Sequence, residues 1–141
     1  GDAQHFVGEL TNRFEMERPP LPAIALGTNP VSFTAAANDY SFEEVFAKEV
    51  QALGGAGDVL VAISTSGRSP NIVRAAEAAQ ERDLHLVVLT GGDGGELSEM
   101  ARPEDDVVVR VDSHTTARIQ EVHILALHGM CSVLDQELFG G

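Results

Sequence analysis

The segment from Asp58 to Glu77 constrains the fold of this chain more than any other. Val59 to Ile63 is a continuous apolar run, which is typical of a strand covered on both faces. Ser69 followed by Pro70 predicts the N-cap and the first position of a helix, which continues with good helix formers from Ile72 to Arg82. The segment therefore predicts a strand, a short loop and a helix in succession.

The loop between this strand and this helix is rich in hydroxyl groups, with Ser64, Thr65 and Ser66 ahead of Gly67. Backbone N–H groups at the start of a helix point outward, and the helix dipole favours negative charge there. Together with the side-chain hydroxyls, including that of Ser69, they could cradle a phosphate group without a lysine. An ordinary strand-to-helix loop with serine-rich turn chemistry fits the same residues, so the loop alone leaves both interpretations open.

Short apolar runs alternate with helical segments along the rest of the chain, a pattern typical of an α/β fold with a parallel sheet. The further predicted helices are residues 3–16, 41–53, 96–101 and 115–139, and the further predicted strands are residues 23–26, 85–89 and 107–111. Two turns are predicted, one at Asn38-Asp39 and one in the glycine-rich run 91–95.

The composition favours one globular domain and is compatible with a reducing cytoplasm. The 141 residues are enough for a core without disulfides, and Cys131 is the single cysteine. No apolar run approaches the roughly 20 residues that span a bilayer. Acidic residues outnumber Lys and Arg by 22 to 9, and the formal charge of -13 argues against non-specific nucleic-acid binding. An anionic ligand must therefore be held by local donors against an unfavourable overall field.

Two groups of polar residues could carry proton-transfer chemistry. His5 and Glu9 stand four residues apart and share one face of the first helix. On the last helix, Gln120 and His128 differ by about 80° of rotation and can face one cleft, whereas His123 lies on a different line. A carboxylate and a histidine brought together suit proton transfer near neutral pH. The same His, Glu, Gln and His set also offers nitrogen and oxygen ligands to a divalent metal. A surface ion pair and a packed interior histidine fit the same spacings.

The last helix carries apolar residues over most of its circumference, which indicates burial on several sides. In a small domain, contact with another subunit accounts for such burial most simply. The residues concerned are Ile119, Val122, Leu125, Leu127, Met130, Val133 and Leu134.

Taken in order, nearly the whole chain resembles the sugar isomerase (SIS) domain and, more closely, the phosphoheptose isomerase family. The matching segments are Asp2–Leu10, Arg18–Leu26, Ala37–Tyr40, Gly57–Ser69, Leu89–Gly95 and Ala117–His123. The Ser-Thr-Ser-Gly element marks only the broad SIS class. The His-x-x-x-Glu helix, together with Arg-Ile-Gln-Glu-x-His and His128, is much more specific.

This resemblance implies a single SIS domain over residues 1–141, an α/β three-layer sandwich with a central parallel sheet flanked by helices. It implies aldose–ketose isomerisation, between sedoheptulose 7-phosphate and glycero-manno-heptose 7-phosphate, through an enediol. The reaction would be an early step toward the lipopolysaccharide inner core. The family is typically tetrameric, with active sites between subunits, and neither nucleic acid nor a membrane is an expected partner.

The resemblance also implies roles for individual residues. Glu9 and His128 match the family's acid/base pair. The positions that match its phosphate loop are Ser64, Thr65, Ser66 and Ser69, and those that match substrate contacts are Asp39, Arg13 and Gln120. Some members hold zinc through residues that match His5, Glu9, Gln120 and His128, and no organic cofactor is expected.

Two departures from the family stand out. The family has an amino-terminal helix, a first strand and a substrate-contacting loop ahead of the position of Gly1, so we expect the amino-terminal part of the domain to be missing. Arg68 stands where the family often has asparagine; it would either add positive charge near the phosphate or point into solvent.

Two other functions remain open from the sequence. One is a non-catalytic SIS protein that binds the bacterial replication initiator; it shares a segment like Asn12 to Pro19 but lacks the catalytic carboxylate and histidine. The other is a sugar-phosphate sensor that binds its ligand without turnover.

Overall fold

The computed structural model describes residues 1–140. They form two compact units, one of residues 26–119 and the other of residues 1–25 together with the chain from Gln120 onward. In chain order, the helices are α1 (Asp2–Thr11), α2 (Pro30–Asp39), α3 (Val45–Leu53), α4 (Pro70–Glu81), α5 (Gly95–Met100) and α6 (Thr116–Phe139), with a 3-10 turn at Phe42–Glu44. The strands are β1 (Val59–Ile63), β2 (His85–Gly91) and β3 (Val107–Val111).

The unit of residues 26–119 is built on a parallel sheet with the strand order β1-β2-β3. Val59 pairs with His85 in the first ladder, and Val87 pairs with Val107 in the second. Helix α4 connects β1 to β2 and contacts both strands, and α5 follows β2 and packs against it. These contacts confirm the predicted α/β fold, with a parallel sheet flanked by helices.

The core of this unit lies between α3, α4 and the sheet. The four alanines of α4 at positions 75, 76, 78 and 79 are buried, and such small side chains let the helix approach α3 and the strands closely. Strand β2 contributes Leu86 and Val88, which are also buried. Burial of β1 is less complete than its apolar run predicts, because β1 lies at the edge of the described sheet and Val59 remains 56% exposed.

Residues 23–26 form no strand, so that prediction was wrong. Prolines at 19, 20 and 22 supply no backbone N–H to a ladder, and the three strands of the described sheet lie elsewhere in the chain. An apolar run becomes a strand only when a neighbouring backbone pairs with it.

Helix α2 has no counterpart among the predicted elements. The signal for it is Asn29-Pro30: Asn29 Oδ1 accepts hydrogen bonds from the backbone N–H groups of Val31 and Ser32, at 3.0 and 3.3 Å. Pro30 occupies the first helical turn, where its missing N–H costs nothing. Asn38-Asp39, predicted as a turn, is the end of this helix.

In the other unit, α1 ends at Thr11 rather than at residue 16. The buried guanidinium of Arg18 donates to the backbone carbonyls of Glu9 and Leu10, both at 2.7 Å, and to Asp135 Oδ1 at 2.9 Å. Carbonyls in the last turn of a helix need partners from outside the helix. Arg18 supplies them, so α1 stops there and the chain turns back.

Helix α6 matches the predicted long helix, and its apolar residues are only partly covered within the single chain. Leu127 and Cys131 are buried, whereas Leu125 and Val133 are 69% and 59% exposed. None of the helices within residues 1–140, α6 included, is long and apolar enough to cross a membrane.

Candidate functional site

Ser64 to Ser69, which we call the serine loop, joins the end of β1 to the start of α4. The Gly67 N–H donates to the Ser64 carbonyl at 3.0 Å, and Gly67 adopts a φ of +68°, a conformation that is strained for residues with a Cβ. This turn brings three hydroxyls together. Ser64 Oγ lies 2.9 Å from Ser69 Oγ and 3.5 Å from Ser66 Oγ.

Ser69 is the N-cap residue of α4, as predicted, but its hydroxyl does not cap the helix. The hydroxyl pairs with Ser64 Oγ instead, and Pro70 occupies the first helical turn. The start of α4 therefore lacks a side-chain cap from its own N-cap residue. An anion at a helix N-terminus would take the place of such a cap.

The glycine-rich run 91–95, which we call the glycine loop, packs directly on the serine loop. A Cβ on Gly67 would overlap the Gly94 carbonyl, and one on Gly95 would lie 2.6 Å from the Ser66 carbonyl oxygen. Just beyond the glycine loop, the Leu97 N–H donates to the Gly67 carbonyl at 3.0 Å. Glycine is needed at this contact because the two backbones touch.

An ion pair joins the same two loops through their side chains. Arg68 Nη1 donates to Asp93 Oδ1 at 2.8 Å and Arg68 Nη2 donates to Asp93 Oδ2 at 2.7 Å. The hydrogen bond from Arg68, followed by one from the Gly95 N–H, lowers the pKa of Asp93 to about 2. Asp93 is therefore a carboxylate at neutral pH.

A cavity of about 260 Å³ lies beside the two loops. Its lining consists of Thr65, Ser66, Arg68, Gly91, Gly92, Asp93, Ser113, His114, Thr116 and Ile119. These residues follow or end the three parallel strands, and ligands of α/β sheets bind at the carboxyl ends of strands. No role was predicted for His114, although its place shortly after β3 was a usable signal.

His5, Glu9 and His128 form a side-chain cluster in the unit of residues 1–25 and 120 onward. His5 Nε2 lies 3.2 Å from Glu9 Oε1 and 3.3 Å from His128 Nε2. The ring of Phe14 stacks near His128, with centroids 5.4 Å apart. The predicted acid/base pair, Glu9 and His128, therefore contacts one and the same imidazole nitrogen.

The donors of this cluster fit a zinc ion chemically. An imidazole nitrogen has either one hydrogen or one lone pair, so His5 Nε2 cannot bond fully to both Glu9 and His128. A cation that accepts lone pairs from all three side chains would satisfy them together. Gln120, the fourth predicted ligand, is exposed near the start of α6. These donor types suit zinc, but no group of three His, Cys, Asp or Glu side chains within residues 1–140 is spaced to hold a metal ion. Zinc binding therefore stays a prediction.

Two predicted substrate contacts lie on exposed side chains. Arg13 is paired locally, with its Nε 3.4 Å from Glu17 Oε1. Asp39 is the last residue of α2 and is exposed. Their roles stay predictions.

Three further residues have structural surroundings. His123 on α6 is fully buried and is therefore an interior histidine. His85 Nδ1 lies 3.1 Å from the Asp105 carbonyl oxygen. Burial is the main reason that the pKa of Cys131 is raised to about 11, which makes this thiol a poor nucleophile.

Comparison with known proteins bears on the whole chain. The family model of the SIS domain matches residues 1–91. The phosphoheptose isomerase of Chromohalobacter salexigens is 56% identical over 140 residues, which are 99% of this chain and 71% of that protein. The phosphoheptose isomerase of Alkalilimnicola ehrlichii is 60% identical over 141 residues, which are 100% of this chain and 71% of that protein.

Solved structures agree with these sequence matches. A phosphoheptose isomerase from Francisella tularensis superposes with a TM-score of 0.91 at 49% identity, over 96% of this chain and 70% of that one. The enzyme from Neisseria gonorrhoeae gives a TM-score of 0.89 at 50% identity, with the same coverage of 96% and 70%. The predicted SIS-type fold is thereby confirmed. The chain belongs to the SIS domain family and, within it, to the phosphoheptose isomerase family.

Proposed function

We propose that this protein interconverts sedoheptulose 7-phosphate and D-glycero-D-manno-heptose 7-phosphate. The observation that carries the proposal is the contact of His5 Nε2 with both Glu9 and His128. A carboxylate and an imidazole held together are the groups that exchange protons with carbon and oxygen near neutral pH. Relatives at 56% and 60% identity are named phosphoheptose isomerase, which points to the same chemistry.

The proposed reaction moves two protons and leaves the atom count unchanged. Glu9 removes a proton from C1 of the ketose, while the C2 oxygen gains a proton, which gives an enediol. Return of a proton to C2 and loss of the proton on the C1 oxygen then give the aldose. His128 carries the protons on oxygen, and His5 Nε2 lies beside both groups, 3.2 Å from Glu9 Oε1 and 3.3 Å from His128 Nε2.

The serine loop is proposed to bind the phosphate group. Its hydroxyls, at Ser64, Thr65, Ser66 and Ser69, adjoin the N-terminus of α4, where backbone N–H groups and the helix dipole favour an anion. In a chain with a formal charge of -13, such local donors are needed to hold an anion. Anchoring the non-reacting end of the sugar lowers the entropic cost of aligning its carbonyl end. Asp39, Arg13 and Gln120 are proposed to contact the sugar hydroxyls.

If zinc is bound, His5, Glu9, Gln120 and His128 would hold it. Zinc at such a position acts as a Lewis acid that polarises a carbonyl oxygen. Binding of zinc and removal of a carbon proton use the same carboxylate of Glu9, so turnover has to be measured with and without the metal.

The cellular setting is part of the same proposal. We propose that the enzyme works in the cytoplasm, as a homotetramer, and supplies heptose for the lipopolysaccharide inner core. Exposed apolar side chains on α6, such as Leu125 and Val133, support contact between subunits. Sedimentation of the purified protein would measure the assembly directly.

Deuterium exchange tests the mechanism. In heavy water, the protein should introduce deuterium at C1 and C2 of the sugar phosphate as it turns over. Glu9→Gln and His128→Asn should each lower turnover by a factor of about 10² to 10⁴. Glu137→Gln, on an exposed part of α6, and His85→Asn, on the exposed start of β2, are matched controls that should retain activity. Full turnover by Glu9→Gln or His128→Asn would contradict the assignment.

The same preparation separates the alternatives. Binding of sedoheptulose 7-phosphate without deuterium exchange, with or without zinc, would indicate a sensor. Capture of the bacterial replication initiator in a pull-down, again without exchange, would indicate the non-catalytic relative.

A further inference from the structure

Arg68 adds a positive charge to the cavity beside the serine loop, where the predicted phosphate ligands are hydroxyl and backbone N–H groups. Among the described residues that line this cavity, Arg68 is the one with a permanent positive charge, and Asp93 is the one carboxylate. The two side chains face each other as an ion pair and are 57% and 67% exposed. A ligand that enters the cavity therefore meets both charges.

The two Arg68 nitrogens that bind Asp93 could bind two oxygens of a phosphate group in the same geometry. Arg68 uses Nη1 and Nη2 as a fork on the two carboxylate oxygens of Asp93, at 2.8 and 2.7 Å. A guanidinium fork binds two oxygens of a phosphate in the same way that it binds a carboxylate. Asp93 and a bound phosphate would therefore compete for the same donors.

The ion pair is not needed to hold the two loops together. Their backbones are joined by the hydrogen bond from the Leu97 N–H to the Gly67 carbonyl, and the glycine contacts leave no room between them. Exposed ion pairs usually contribute little to stability. The effect of Arg68 and Asp93 on a charged ligand is therefore expected to exceed their effect on folding.

We propose that Arg68 determines the affinity of this cavity for the phosphate group of the sugar, and that Asp93 weakens this affinity by competing for the Arg68 guanidinium. The inference rests on the proposed isomerase function, because it names the residues that tune phosphate binding at the serine loop. Removal of the two members of this ion pair should then change the phosphate affinity in opposite directions, which a purely structural pair would not show.

Binding of inorganic phosphate, measured by calorimetry on the full chain, tests the proposal without any need for turnover. Arg68→Gln should weaken phosphate binding by about tenfold, because one charge-assisted contact is lost. Asp93→Asn should strengthen it by about fivefold, since the amide leaves Arg68 free for the anion and can still accept from the Gly95 N–H. Arg68→Lys, which keeps the charge but loses the fork, should fall between wild type and Arg68→Gln.

Arg82→Gln is the matched control. Arg82 follows the last residue of α4, a helix of 12 residues and thus about 18 Å from the serine loop at the other end. Arg82→Gln removes one positive charge, as Arg68→Gln does. If both substitutions weaken phosphate binding equally, the effect is one of net charge and the proposal is overturned.

Three other results would overturn it: no phosphate binding by the wild type, unchanged binding by Arg68→Gln, or weakening by Asp93→Asn as large as that by Arg68→Gln. The last result would identify the pair as a structural link. With sugar phosphate as substrate, Arg68→Gln should raise KM and leave kcat nearly unchanged. If the phosphate results hold while the wild type shows no isomerisation, the isomerase proposal fails and the anion site stands.

Discussion

Asp135→Asn removes the negative charge of the buried ion pair between Arg18 and Asp135 at the end of α1 and changes little else. Arg18 and Asp135 have side-chain exposures of 1% and 7%, and Arg18 Nε lies 2.9 Å from Asp135 Oδ1. Asparagine has nearly the same volume, and its amide oxygen can still accept the hydrogen bond. The hydrogen bonds from Arg18 to the carbonyls of Glu9 and Leu10 are left in place. The substitution thus leaves a buried guanidinium without its counter-charge.

The expected loss of stability is large. Removing one partner of a buried ion pair costs 3 to 5 kcal/mol in typical proteins, because the other charge stays buried and uncompensated. Since the amide retains one hydrogen bond, we expect the lower end, about 3 kcal/mol, in the free energy of unfolding. For a chain of this length, that loss lowers Tm by about 10 °C.

Urea unfolding followed by far-ultraviolet circular dichroism measures this loss. Asp112→Asn is the matched control, because the side chain of Asp112 is 94% exposed and lies 3.9 Å from Arg110. Its free energy of unfolding should change by no more than about 0.5 kcal/mol. If both variants lose the same amount, burial does not decide the contribution of these ion pairs and the reasoning is refuted.

Three further predictions concern a glycine, a thiol and a buried carboxylate. Gly67→Ala should lower the free energy of unfolding, measured in urea, by more than about 2 kcal/mol, because the φ of Gly67 is +68° and a Cβ there would overlap the Gly94 carbonyl. An unchanged free energy would contradict the loop contact. Cys131, whose pKa is raised to about 11 chiefly by burial, should react with iodoacetamide at mildly alkaline pH far more slowly in the folded than in the urea-unfolded protein, and equal rates would argue against it. Burial alone would raise the pKa of Asp106, but hydrogen bonds, first from the Arg102 side chain, lower it from 3.8 to about 2. The stability that this carboxylate contributes is therefore present above pH 3.8 and is lost as the pH falls toward 2. In Asp106→Asn, the free energy of unfolding in urea should depend less on pH between 3.8 and 2 than it does in the wild type. An unchanged pH dependence would exclude this linkage.

Local rules predicted the central elements well. The apolar run predicted β1 with the bounds that the structure shows, and Val107–Val111 is β3 as predicted. The start of α4 follows from Ser69-Pro70, because proline is favoured in the first turn of a helix. In each case, the residues that determine the element lie inside it or next to it.

Elements that depend on distant partners were predicted poorly. Residues 23–26 have the apolar character of a strand but pair with no neighbour in the described sheet. Helix α1 ends at Thr11 because Arg18, held by Asp135, binds the carbonyls of its last turn. Asp135 is 117 positions away from Arg18, so no local pattern around α1 contains this information.

The sequence by itself determined the kinds of group available for function: hydroxyls between β1 and α4, and a carboxylate with histidines on the first and last helices. Only the tertiary structure decided which partner each group has. Ser69 turns to Ser64 instead of capping α4, Arg68 pairs with Asp93, and His5 lies against both Glu9 and His128. A hydrogen bond acts only over about 3 Å, so local and distant partners compete, and the folded backbone decides which of them comes within reach.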